Sequence, residues 1–391
     1  MTKDEGNANA SMTKQRPERE RTQSDSVIPS SFGTRHSSFQ FGLIATGPEL
    51  AELLEKIEPA SRVAIDTEAD SLHSYREKLC LLQLSLSGRD YIVDPLADMD
   101  FAPLRDALGP KEIVLHGSDY DLRMLRRGIN FSAGKIFDTV MAARVLGIRE
   151  FSLAALVRKY FSVELPKGSQ KANWAKRPLP RRMAEYALND VHYLLRLADR
   201  LEAELDRQHR FDWFRQSCQR AMEQAAADRV RDENEVWRIR GAGALRGRAA
   251  AVLRALWQWR EAEAEAVDRP AFHILQNEQL LRSAEAFAHG SVPDYRHFSE
   301  RRRRAFCQAG EKALRLPESE WPVWRRTFGK RPTNEMLRST DELRERRDRA
   351  ARDLKMEPAF IAPRAALEAI ATQRARAEDL LVPWQRELLD V

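Results

Sequence analysis

Short apolar runs with strand character occur only in the first half of this chain. Gln40–Ala45, Arg62–Asp66, Cys80–Ser85, Asp90–Val93 and Glu112–His116 read as strands, rich in β-branched and leucine residues. Helical stretches lie between and after them, at Pro48–Ile57, Phe101–Leu108, Asp119–Arg127, Thr139–Leu146, Ser152–Tyr160 and Pro180–Arg207. Strands that come early and then alternate with helices predict a mixed α/β sheet over residues 39–210. Beyond residue 210 the pattern is helical only, with Arg248–Val267, Asp341–Leu354 and Pro363–Glu378 separated by proline-containing breaks. Residues 260–272 and 348–360 echo each other at an offset of 88, sharing Pro-Ala-Phe at 270–272 and 358–360. That repeat predicts two similar helical modules, drawn at 211–318 and 319–391. Residues 1–38 are polar and aperiodic, which predicts a disordered tail.

Charge narrows the function classes. The net charge is +6 over 391 residues, and most of the excess lies after residue 210. Within the nearly balanced α/β region, residues 158–182 carry eight basic side chains and one acid, Glu164. A basic band beside a neutral domain suggests a polyanionic partner. Its Lys167, Lys171, Lys176 and Arg177 are candidates for phosphate contacts, and Trp174 for stacking on a base. No apolar run is long enough for a membrane span, and no membrane partner is expected. Three scattered cysteines without a CxxC pair argue against a disulfide framework and fit a cytoplasmic protein.

Three acid-bearing motifs carry the chemistry. In RVAIDTEAD (62–70), Asp66 and Glu68 are two apart on a strand and share a face. Two acids emerging together need a cation, and oxygen ligands suit Mg²⁺ or Mn²⁺. Asp70 follows the strand and is left out of the set. In LHGSDYDLRML (115–125), a strand turns into a helix whose first turn holds Asp119 and Asp121, with Ser118 placed to cap it. In the helix YALNDVHYLL (186–195), Tyr186 and Asp190 are four apart and lie on one face. Each motif alone has an ordinary structural reading: a polar strand end, a helix cap, a hydrogen-bonded helix pair. His73, His116 and His192 lie near the motifs but lack metal-ligand spacing, and read as structural or as supports that orient the acids from behind.

Taken in order, the three motifs resemble those of the DEDD superfamily of 3′→5′ exonucleases, and more narrowly the ribonuclease D family. Tyrosine four residues before the last acid, with Glu185 where the other branch has histidine, matches the Tyr branch. The helical half is similar to the HRDC domains of that family. The Ser74-Tyr75-Arg76 stretch is similar to exosome-associated relatives. This resemblance implies a ribonuclease H-like sheet followed by two all-α HRDC-like domains. It implies catalysis by Asp66, Glu68, Asp121, Tyr186 and Asp190, the four acids holding two divalent ions. Asp66, Glu68 and Asp190 would serve the nucleophile side, Asp66 and Asp121 the leaving-group side, and Tyr186 would orient the attacking water. The implied activity is a metal-dependent 3′→5′ exoribonuclease that accepts a single-stranded 3′ end, trims precursor tRNA or other structured RNA, and acts as a monomer. Two other readings of the same fold are a non-catalytic RNA-binding scaffold and a DNA 3′→5′ exonuclease.

Overall fold

The computed structural model describes residues 43–166, 168, 170–227, 232, 235–323 and 332–391. The tail expected at 1–38, the first three residues of the strand expected at 40–45, and Lys167 lie outside the described residues.

The α/β part runs β1 (Leu43–Ile44), α1 (Gly47–Ile57), β2 (Arg62–Ala69), β3 (Leu79–Leu86), β4 (Arg89–Val93), α2 (Ala102–Leu108) and β5 (Glu112–Leu115). It continues through α3 (Asp119–Ile129), β6 (Lys135–Asp138), α4 (Thr139–Val145), α5 (Leu153–Phe161), α6 (Arg181–His192), α7 (Leu194–Arg207) and α8 (Phe211–Ala226). The strands form one mixed sheet in the order β1-β4-β3-β2-β5-β6. β2 sits between antiparallel β3 and parallel β5, so the acid-bearing strand is central. Local chemistry sets the ends. Thr46 and Glu49 form a capping box at α1, and Asn130 closes α3 in the left-handed conformation that asparagine tolerates.

Three expectations change. β6 has only four residues and runs straight into a helix, too short for a period-2 signal to show in sequence. The single helix expected at 180–207 breaks at Tyr193 into α6 and α7. The third change concerns α8, assigned from sequence to the first helical module. It packs instead on the sheet, with Phe214 and Cys218 buried in the α/β core and the Phe214 ring 4.6 Å from that of Phe137. α8 carries aromatics that fit either body, and only packing decides between them.

The helical half comprises α9 (Gly247–Ala266), α10 (Ala271–Ile274), α11 (Asn277–Ala288) and α12 (Glu300–Leu314), then α13 (Asn334–Leu354), α14 (Pro358–Ile361), α15 (Arg364–Thr372), α16 (Arg376–Leu380) and α17 (Pro383–Leu389). α9–α12 and α13–α17 enclose separate apolar cores. The repeat has a structural counterpart in a slightly different register. Arg260 donates to the Leu275 carbonyl at 3.1 Å, and Arg347 to the Ala362 carbonyl at 3.2 Å. Each carbonyl belongs to the C-cap residue that follows the short helix, α10 or α14. These pairs align at an offset of 87, one less than the sequence echo, because Pro270 precedes α10 whereas Pro358 lies inside α14.

Both modules touch the α/β domain. Asp268 accepts from the Tyr75 backbone N–H at 3.1 Å, and Glu265 pairs with Arg76 at 2.7 Å, so α9 rests on the loop between β2 and β3. From the other module, the Trp384 ring stacks on Trp213 at 5.1 Å and its indole N–H donates to Ser217 at 3.1 Å.

Candidate active site

β2 alternates faces, so Ala64, Asp66 and Glu68 project to one side while Val63, Ile65 and Thr67 fill the other. α6 packs over the acidic side and brings Asp190 down onto it. Carboxylate oxygens of Asp66, Glu68 and Asp190 lie within 4.8 Å of one another. The electrostatics follow from that crowding. Burial, then the charges of Asp121, Asp190 and Glu68, hold the Asp66 carboxyl well above its ordinary range. Burial and the neighbouring acids push Glu68 up to about 9. Asp190 rises to about 6, because burial outweighs the hydrogen bond that Tyr186 gives its charged form. Every charged side chain acting on Asp66 and Glu68 is an acid. Such a cluster ionises fully only around a cation, and three hard oxygen donors fit Mg²⁺ or Mn²⁺.

Asp121 stands apart from the triple cluster. It emerges from the first turn of α3, after β5, and its Oδ1 accepts both the Thr67 N–H at 3.1 Å and the Thr67 hydroxyl at 2.5 Å. Burial lifts it to about 7 against the pull of those two bonds. The cap expected from Ser118 is absent: Ser118 precedes α3, yet its buried hydroxyl has no partner. Asp138 accepts the Gly117 and Ser118 N–H groups at 3.0 and 2.8 Å instead, and caps α4 as well.

Tyr186 lies one turn before Asp190 and interacts through its hydroxyl with Asp190 and Gln170. Burial, then the charges of Asp190, Glu68 and Asp66, keep the phenol protonated above its ordinary range. Its ring is 6.1 Å from that of Trp174. A side chain at Gly168 would stand 2.3 Å from the Tyr186 ring, so glycine is required for that approach.

The basic band divides into two groups. Lys171 and Lys176 are exposed, as phosphate contacts require. Trp174 is only 1% exposed, so it anchors the loop and offers no face to a base. Arg177 is also removed from the nucleic-acid set. It grips Asp94 through Nε at 2.6 Å and Nη2 at 2.5 Å, and it donates to the carbonyls of Cys80 and Trp174 at 2.8 Å each. Both residues stitch the loop to the sheet beneath Tyr186. Asp70, left out of the acid set, is buried. It accepts from the Ser74 hydroxyl and, at 2.8 Å, from the Lys78 N–H, closing the loop after β2. The three histidines have structural partners: His73 the Lys171 carbonyl, His116 the Thr139 hydroxyl and His192 the Asp90 carboxylate.

A family model described as 3′-5′ exonuclease matches residues 43–206, from β1 to the end of α7. Residues 43–206 therefore form a 3′-5′ exonuclease domain. An HRDC domain model matches residues 249–287 within α9–α11. Ribonuclease D of Desulfotalea psychrophila is 29% identical over 294 residues, covering 72% of this chain and 78% of the relative. The exosome complex component 10 homolog of Drosophila melanogaster is 29% identical over 253 residues. That match takes in 62% of this chain, which spans only 28% of the relative's length. Among solved structures, Escherichia coli RNase D superposes with a TM-score of 0.65 at 22% identity, covering 90% of this chain and 98% of that one. The exonuclease domain and the HRDC domain therefore follow each other here on a fold shared with RNase D.

Proposed function

We propose that this exonuclease removes nucleotides from RNA 3′ ends by two-metal-ion hydrolysis, with Asp66, Glu68, Asp121 and Asp190 as ligands. The oxygen cluster of Asp66, Glu68 and Asp190 carries the reading, since such an arrangement is costly without cations. Bound Mg²⁺ or Mn²⁺ would supply a lowered water pKa and charge neutralisation at the scissile phosphate. Asp66 is central to the set, because Glu68 is beside it on β2 and Asp190 comes from α6 above. Asp121 would support the same centre from α3, where the Thr67 bonds hold it in place. Tyr186 is protonated at neutral pH, so it orients the attacking water by donating a hydrogen bond and abstracts no proton.

Lys171 and Lys176 would hold backbone phosphates beside the site, and a single-stranded 3′ end fits a centre roofed by α6. The match to ribonuclease D favours RNA, and the resemblance of the three acid-bearing motifs extends the proposal to structured precursors such as pre-tRNA as the natural substrate class. We infer a monomer working in the cytoplasm; among the described residues no helix is long and apolar enough to cross a membrane.

The test is a pair of matched RNA and DNA oligonucleotides, labelled at either end and incubated with Mg²⁺ or Mn²⁺. Progressive loss from the RNA 3′ end supports the reading, whereas preferred degradation of DNA would transfer it to a DNA exonuclease. Asp66→Asn and Asp190→Asn should each lower the rate about 10²–10³-fold or more, as expected for losing a transition-state stabiliser. Folded variants retaining activity within about tenfold of wild type would remove the two-metal mechanism.

A further inference from the structure

Pairing of β2 with β3 sets Gln83 directly opposite Asp66. Opposed residues of an antiparallel pair project to the same face with Cβ atoms about 4.5–5.5 Å apart, within reach of an amide on a two-carbon arm. Gln83 is fully buried, and neither its Nε2 nor its Oε1 has a hydrogen-bond partner. On its other flank it opposes Ile92, which offers no polar atom. The diagonal acid on β4, Asp90, is already engaged by the Ser85 hydroxyl at 2.6 Å and by His192 at 2.5 Å. On its own face of β3 the neighbouring position is Leu81, buried with Ile92 in one apolar cluster, so an apolar residue would suit this position and remove the cost of an unpaired amide.

We propose that Gln83 is a positioning residue for Asp66. In the metal-loaded protein a turn of the unpaired Gln83 side chain would bring its Nε2–H to the Asp66 oxygen turned away from the cation, fixing the carboxylate plane and leaving the other oxygen free to bind the ion. A carboxylate ligand without such a donor rotates between orientations and binds its ion less tightly. The proposal rests on the metal-binding reading of the acid cluster.

The experiment titrates wild type, Gln83→Met, Gln83→Leu and Asp66→Asn with Mn²⁺ by calorimetry, and melts each in EDTA. Gln83→Met should weaken Mn²⁺ binding about 10–100-fold. Its melting temperature in EDTA should equal or exceed that of wild type, because two unpaired polar atoms are gone. In the nuclease assay the Mn²⁺ concentration for half-maximal rate should rise, with KM for RNA unchanged at saturating Mn²⁺. Wild-type Mn²⁺ affinity in Gln83→Met would overturn the proposal. Loss of folding in both Gln83→Met and Gln83→Leu would overturn it too, since the amide would then be a requirement of the sheet itself. A wild-type protein that binds no Mn²⁺, or Asp66→Asn binding it equally tightly, would overturn the metal reading as a whole, an outcome distinct from failure of the Gln83 role alone.

Discussion

Thr67 gives both of its donors to Asp121, the backbone N–H at 3.1 Å and the hydroxyl at 2.5 Å. One strand residue between Asp66 and Glu68 thereby fixes the acid that arrives from a different element, close enough for its charge to act on both. Removing the hydroxyl while keeping the shape tests this. Thr67→Val should cost about 1–3 kcal/mol of stability in EDTA, the usual loss for a hydrogen bond to a carboxylate. Because the hydroxyl favours the ionised form, the cost should be larger at about pH 8 than at about pH 5, on either side of the Asp121 value near 7. Urea denaturation at the two pH values measures it.

Tyr186→Phe separates turnover from packing. The ring still fills its place against Trp174 and Gly168, and only the hydroxyl is lost. The rate constant kcat should fall about 10²–10³-fold with KM nearly unchanged. Stability should change by no more than about 0.5–1.5 kcal/mol. A Phe variant with wild-type turnover would reduce Tyr186 to a helix residue hydrogen-bonded to Asp190.

The acid cluster makes stability depend on pH in a direction unusual for carboxylates. Asp190, Asp121 and Glu68 hold their protons up to about 6, 7 and 9 in the folded chain. Unfolded, they release them near about pH 4. The native state therefore binds more protons across this window, and its stability falls as pH rises through the folded values. In EDTA the melting temperature should drop from about pH 5 to about pH 9. Saturating Mg²⁺ should flatten the fall, because cations then replace the protons. A melting temperature that rises over that range in EDTA would contradict the clustered geometry.

Arg177 and Lys171 should respond in opposite ways to truncation. Arg177→Ala leaves the buried Asp94 without its bidentate partner and should cost about 1.5–3 kcal/mol. Lys171→Ala should leave stability unchanged and lower the salt dependence of RNA binding by about 0.7 in log-log slope, the value for one phosphate contact on a single strand. Thermal melts and binding measured at several salt concentrations distinguish the two.

Much of the site was legible in sequence because its spacings are local. Asp66 and Glu68 share a face through strand periodicity, and Tyr186 stands above Asp190 through the helical turn; neither fact needs a tertiary contact. The change from mixed strands and helices to helices alone near residue 210 was likewise readable from hydropathy. A loop's charge, by contrast, could not show which of its members face inward. Trp174 and Arg177 looked like a base-stacking and phosphate-binding pair, and they are the loop's anchors.

What the sequence by itself determined is the set of acids and the elements that carry them. Tertiary structure alone decided their partners. Sheet register put Gln83 opposite Asp66, and the approach of α3 to β2 gave Asp121 to Thr67. Packing on Phe137 assigned α8 to the sheet. Periodicity fixes which face of its own strand or helix a side chain takes, whereas partners distant in sequence are set by how those faces stack, and the stacking is an energy of the whole core.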